Sequence, residues 1–168
     1  MNGFWCPRCR QFHQGLPVSY AADFPDSYVA LKEAERETRA QISSDQCIID
    51  DEWFFIRGLV EIPILGFQEP FLWGVWATVK KEPFEEISNH WETAGREDLI
   101  GPYKGRLDNS LSEYPRTLNL KCTIHIRPVG ERPAFCIDEP DHLLAKEQRE
   151  GISLNRIQEI ASHLMHKS

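Results

Sequence analysis

The sequence predicts an α+β fold: a mostly antiparallel sheet with helices packed on it and an N-terminal zinc-knuckle-like segment. Three observations carry this. Cys6, Cys9 and His13 stand at metal-ligand spacing close to the start of the chain. Trp53–Val60 and Phe71–Val79 are apolar on both faces, whereas Thr117–Pro128 alternates with a period of two, the pattern of a half-covered antiparallel strand. Helical spacing appears around Tyr28–Ala34, Phe84–Trp91 and Ile157–Leu164.

Composition narrows the class. A chain of 168 residues reads as one domain, residues 1–168, with the metal-knuckle segment 1–17 integral to it. Hydrophobic residues make up 41%, enough for one ordinary core. A net charge of −7 argues against nucleic acid as a partner, because such binders carry a basic footprint. No apolar run approaches the ~18 residues of a membrane span, and the start lacks the basic and apolar regions of a signal peptide. The chain therefore reads as cytoplasmic. There an odd count of cysteines, five, points to metal ligands or buried thiols rather than disulfides.

In chain order, Gly15, Pro17 and Pro25 mark irregular chain. A helix is expected from Asp26, capped by Asp26 or Ser27, with Tyr28, Leu31 and Ala34 as its stripe. Gln46–Ile49 and Trp53–Val60 read as strands joined at Asp50-Asp51, followed by the strand Phe71–Val79. Gly58 and Gly74 are expected to make room for neighbouring indoles. The indoles of Trp53, Trp73 and Trp76 are themselves expected in the core. Pro83 suits the first turn of a helix, with Phe84, Ile87 and Trp91 inward. Gly95–Pro115 reads as a long turn-rich connection. In the next strand Leu118, Leu120, Cys122, Ile124 and Ile126 face inward. Ala134–Asp138 makes a further strand. Asp141 is expected to cap a short helix that Gly151 ends, and Ser153 to cap the last helix.

The Cys-x-x-Cys turn supplies two thiolates from one tight bend, and His13 can close on them from the same segment. A fourth ligand is needed. Cys122 points into an apolar face and Cys136 is ambiguous, whereas Cys47 opens a strand after polar Ser43–Gln46. Cys6, Cys9, His13 and Cys47 are therefore the expected ligands of a structural Zn²⁺, with Arg8 and Arg10 placed to offset the charge of three thiolates. A redox pair is disfavoured, since Cys6 has no room for a preceding strand and Gly15 and Pro17 interrupt a following helix. Unbound thiols beside a surface histidine are the other alternative.

At these residues the chain resembles a bacterial family, domain of unknown function 2199. The likeness is carried by Cys6-x-x-Cys9-x-x-x-His13-x-x-Leu16-Pro17 and Ser44-Asp45-x-Cys47-x-Ile49, then by Phe55-x-Arg57-Gly58 and Trp73-Gly74-Val75-Trp76. It ends in Asp141-His142-Leu143-Leu144-Ala145-x-Glu147-Gln148-x-x-Gly151-Ile152. Arg10 stands where the family pattern implies glycine, and Leu143 where it implies proline. The resemblance brings no activity with it.

Outside the knuckle, Lys121, His125 and Arg127 share the polar face of one strand, suited to a carboxylate or phosphate. Arg57 lies in a strand that reads as buried, where a guanidinium needs a carboxylate or carbonyl partner or a bound anion. Asp138, Asp141 and His142 could form an acid–base cluster with His125. No nucleotide-loop, nucleophile-elbow or His-Glu-x-x-His pattern occurs. The leading reading is a non-enzymatic binding or interaction domain with structural zinc and a protein or small anionic partner. The runner-up is a hydrolase-like enzyme using His125 or His142 with a nearby aspartate such as Asp141.

Overall fold

Residues 3–167 are described by a computed structural model. Strands β1 (Gly3–Cys6) and β2 (Gln11–Gln14) form an antiparallel hairpin of their own. The chain continues through β3 (Ser19–Ala21), the short helices α1 (Asp26–Val29) and α2 (Glu33–Arg39), then β4 (Ala40–Ile42) and β5 (Gln46–Ile49). The long strands β6 (Trp53–Ile62) and β7 (Phe71–Val79) follow, then α3 (Lys81–Asn89), α4 (Arg96–Leu99), β8 (Tyr103–Leu107), β9 (Lys121–His125) and β10 (Ala134–Ile137). Helices α5 (Leu143–Glu150) and α6 (Leu154–Met165) complete the order.

The expected sheet is mostly antiparallel in its pairings, but it closes into a barrel, which the expectation of a sheet covered by helices did not include. Strands β6 to β10 form a meander in which each pairs antiparallel with the next. An odd number of alternating strands leaves the first and last pointing the same way. The closing contact is accordingly parallel, with Ala134 of β10 opposite Leu59 of β6. Closure removes sheet edges that would otherwise be exposed. Because β6 and β7 are long, each shares one edge between two partners. Beyond β10, β6 carries β5 opposite Trp53–Ile56, and beyond β8, β7 carries β3 opposite Leu72–Gly74.

Closure depends on β8, which lies in the stretch that reads as connection. Its glycine is the enabling residue: a Cβ on Gly105 would stand 2.7 Å from the carbonyl oxygen of Thr78. Gly58 and Gly74 also mark close approach, but not to indoles. A Cβ on Gly58 would strike the ring of Phe135, and one on Gly74 would come within 2.8 Å of Ala21 Cβ.

Strand alternation divides the apolar residues between two cores. Ile56, Val60, Trp73, Val75, Leu107, Cys122, Ile124 and Phe135 face the barrel interior in one continuous cluster, joined by Phe84 and Ile87 of α3 and Ile157, Ile160 and Ala161 of α6. Cys47, Ile49, Phe55 and Trp76 form a second cluster on the outer face of β5–β7, covered by Tyr28 and Leu31. This explains why β6 and β7 read as two-faced. Trp53 departs from the expectation, since it begins β6 beyond this cover and is 54% exposed.

The helix expected from Asp26 is two short helices. Asp108, not a local residue, receives the first turn, accepting from Ser27 N at 2.9 Å and Ser27 Oγ at 3.0 Å. Asp26 instead accepts from Asn109 Nδ2 and Ser110 N. The alternation of β9 begins only at Lys121, because Asn119 takes a left-handed φ of 66° and Thr117 is buried. Gly151 and Ser153 act as expected, Ser153 Oγ accepting from Arg156 N.

Candidate metal centre

The hairpin brings together three candidate metal ligands, two by strand geometry and one from its turn. Phe4 and Cys6 alternate onto one face of β1, and His13 lies opposite Phe4 on β2, so Cys6 and His13 share that face. Trp5 and Phe12 take the other face and are exposed. Cys9 comes from the turn, which is tied by Arg10 N donating to Cys6 O at 2.8 Å. Arg10 adopts φ 57°, the left-handed conformation that suits the glycine implied by the family pattern. Cys9 Sγ stands 3.1 Å from His13 Nε2. The ligand atoms of Cys6, Cys9 and His13 all lie within 4.8 Å of one another, and this group could hold a metal ion.

Cys6 is wholly buried where the hairpin meets α6. Its Sγ lies 3.3 Å from Ser162 Oγ and 3.3 Å from Nε2 of His166. Ser162 and His166 stand four residues apart and so share one face at the end of α6. Burial alone would raise the Cys6 pKa. Hydrogen bonds from Ser162, from the backbone N–H groups of Cys9 and Arg8, and from His166 outweigh it and bring the thiol down to about 5. Thiolate is the form that binds metal.

In a tetrahedral zinc site, bonds of ~2.3 Å to sulfur and ~2.0–2.1 Å to nitrogen put the two ligand atoms roughly 3.6 Å apart. The observed sulfur–nitrogen separations of 3.1 and 3.3 Å need only a small opening to admit such an ion. The donor set, two sulfurs and imidazole nitrogen, matches zinc chemistry.

Cys47 is not brought to this group, which corrects its assignment as fourth ligand. On β5 it alternates with Ile49, opposite Phe55, into the outer core. Cys6 belongs to the inner one, and the sheet lies between them. Burial pushes Cys47 up to about 12, so it stays a thiol. Cys122 is likewise a buried thiol, as expected, and Cys136 is exposed. His166 escapes sequence reasoning because it follows Cys6 by 160 positions. Its one signal is its place four positions after Ser162, on the same side of an amphipathic helix and just past its end.

The other candidates do not form one site. Arg57 donates through Nη1 to Ser44 O at 3.0 Å and lies over the Trp76 ring, 5.6 Å from its centroid. The nearest carboxylate oxygen, Asp23 Oδ1, is 3.7 Å away. Arg127 pairs with Glu61 at 2.6 Å. Lys121 and His125 are exposed at the two ends of β9. His142, rather than Asp141, caps α5: its Nδ1 accepts from Leu144 N at 3.1 Å, and its Nε2–H faces the carbonyl oxygens of Pro115 and Arg116. Both ring nitrogens are thereby engaged in holding α5. Asp141 is exposed, and Asp138 accepts from Thr123 and Lys104. Leu143 is the first helical residue of α5, the position at which proline is favoured, consistent with the family pattern.

Fold and site together define a small closed β-barrel carrying a Cys-Cys-His cluster on an N-terminal hairpin. The chain belongs to the family described as uncharacterized protein conserved in bacteria, domain of unknown function 2199, which matches residues 5–152. The matched stretch contains Cys6, Cys9 and His13 and ends before α6. No curated protein and no solved structure matches the chain. Among the described residues, no helix is long and apolar enough to cross a membrane.

Proposed function

We propose that this protein is a non-enzymatic binding domain whose N-terminal hairpin is stapled to α6 by a structural zinc ion, held by Cys6, Cys9, His13 and His166. The observation that carries the reading is the convergence of three ligand atoms within 4.8 Å, with His166 touching Cys6 from the helix behind. Two thiolates balance the charge of Zn²⁺ and two neutral imidazoles complete four ligands, which suits a part-buried centre better than three thiolates. Four protein ligands leave no open position for substrate or water, the arrangement of a structural rather than a catalytic ion. The C-terminal end of the twelve-residue α6 adds its partial negative charge beside the cation. Ser162 supports the Cys6 sulfur from the outer shell.

The test is elemental analysis of protein purified without added zinc, paired with thermal unfolding. About one zinc per chain is expected, lost in Cys6→Ser together with a lower Tm, because metal binding here is folding free energy. Metal-free protein of unchanged stability in that variant would overturn the reading.

A further inference from the structure

Strands β7 and β8 pair only through Ala77–Leu107 and Thr78–Arg106. Past Val79 the chain turns away into α3, while the first half of β8 continues along β9. The barrel wall is therefore split at this seam, and a cleft of about 990 Å³ opens there. Its apolar side is Phe54 and Val79, flanked by the exposed indole of Trp53.

The polar lining is out of character for the chain. In a protein of net charge −7, five cations line this one cleft: Lys80, Lys81, Lys104, Arg106 and Lys121. Three carboxylates, Glu52, Glu82 and Asp138, stand with them, and Asp138 is already taken up by Thr123 and Lys104. Among the described residues, the side-chain nitrogens of Lys80, Arg106 and Lys121 have no carboxylate oxygen within 4.0 Å, while Glu139 Oε2 accepts from the backbone N of Lys121 at 3.0 Å. Arg106 and Lys121 are moreover direct cross-strand partners on β8 and β9. Like charges directly opposite one another destabilise a sheet. Folding gains nothing from this pair, whereas a bound anion between them would turn repulsion into two charge-assisted contacts. The next pair along the same strands shows the contrast, for Lys104 opposite Thr123 is neutralised by Asp138.

We infer that the seam cleft binds a small organic anion, its doubly charged oxyanion group between Arg106 and Lys121 and its flat apolar body against Trp53 and Val79. Arginine supplies a planar fork for phosphate or carboxylate, and lysine a point charge beside it. Lys121, expected in a stripe with His125 and Arg127, works instead with residues of β8 and α3. The inference deepens the binding-domain reading by naming a ligand class. It does not pass through the metal.

The experiment titrates wild type with phenyl phosphate, phthalate and inorganic phosphate, reading tryptophan emission and Tm, with Trp53→Phe assigning the emission change. Binding of phenyl phosphate or phthalate is expected, the tighter of the two distinguishing a phosphate from a dicarboxylate ligand, with inorganic phosphate weaker. The double variant Arg106→Gln/Lys121→Gln should bind at least about tenfold more weakly, as loss of two charge-assisted contacts requires. It should retain wild-type metal content, and without ligand its Tm should equal or exceed that of wild type. Absence of binding by every probe in the metal-loaded wild type, or unchanged affinity in the double variant, would overturn the inference and leave the zinc reading untouched. Loss of metal from wild type with the anion still bound would do the reverse.

Discussion

The sulfur of Cys6 stands 3.3 Å from Nε2 of His166, so residues 160 positions apart meet where β1 abuts the end of α6. The N-terminal hairpin and the last helix are thereby coupled through one atom. The two cysteines that compete for a ligand role sit in opposite environments, Cys6 brought down to about 5 and Cys47 pushed up to about 12.

This contrast separates His166 from Cys47 by mutation. His166→Ala should lower zinc affinity by about 100-fold or more in chelator competition, beyond the ~10–100-fold typical of an outer-shell change. Cys47→Ser should leave metal content intact and reduce stability to urea by roughly 1–3 kcal/mol, since it buries a hydroxyl beside Phe55 and Trp76. The reverse pattern, with metal lost on replacing Cys47, would refute the assignment.

Arg10 carries a left-handed backbone at φ 57° in the knuckle turn. An L residue there costs roughly 1–2 kcal/mol, partly offset in glycine by the flexibility of its unfolded chain. Arg10→Gly is expected to stabilise the protein by about 0.5–1 kcal/mol, measured by equilibrium unfolding. Destabilisation would mean that the Arg10 side chain contributes more than its conformation costs.

Glu147 joins three elements around a buried carboxylate. Tyr114 Oη donates to its Oε2 at 2.5 Å and Arg156 Nε to its Oε1 at 2.7 Å, while Trp73 Nε1 donates to Tyr114 Oη at 2.9 Å. Glu147→Leu takes from Arg156 its nearest carboxylate, leaving it Glu113 O at 3.2 Å and the exposed Glu159 at 3.8 Å, and should cost about 3 kcal/mol. Tyr114→Phe, which removes the donor to Glu147 and the acceptor of the Trp73 Nε1–H, should cost about 1–3 kcal/mol. Equal losses in the two variants would deny the charge pair its role.

Asp45 makes a pH-dependent link between the strands. Burial alone would raise its pKa. Hydrogen bonds from Arg132 at 2.8 Å and from Ser44, with the charges of Arg132 and Arg57, hold the carboxyl below its ordinary value. A depressed folded pKa contributes stability that is fully present above the unfolded value of ~3.9 and is lost as pH falls through the folded one. The advantage of wild type over Asp45→Asn should therefore be level above about pH 5 and shrink in more acid solution. Urea midpoints across that range check it, and an advantage that grew on acidification would contradict the pairing.

Much of this was legible in the residues alone. Apolar runs without a polar face located β6 and β7, and period-two alternation sent Cys122 inward. Gly151 and Ser153 marked helix ends through local backbone chemistry, and the spacing of Cys6, Cys9 and His13 foretold a cluster that one hairpin builds. Each of these depends on neighbours within a few positions, where backbone geometry is set by short-range sterics and hydrogen bonds.

What the tertiary structure alone decided lies across longer separations. Barrel closure rests on the contact of Leu59 with Ala134, and the capping of α1 on Asp108. Cys47 was set on the outer core because the same alternation that buries it also turns it from Cys6. His166 was brought to Cys6 by the docking of α6. No local pattern encodes these meetings, since each is fixed only when distant segments bury their apolar faces together and carry their polar side chains with them. The sequence by itself determined the three residues of the Cys-Cys-His cluster; the packing of the last helix brought His166 to its Cys6 corner.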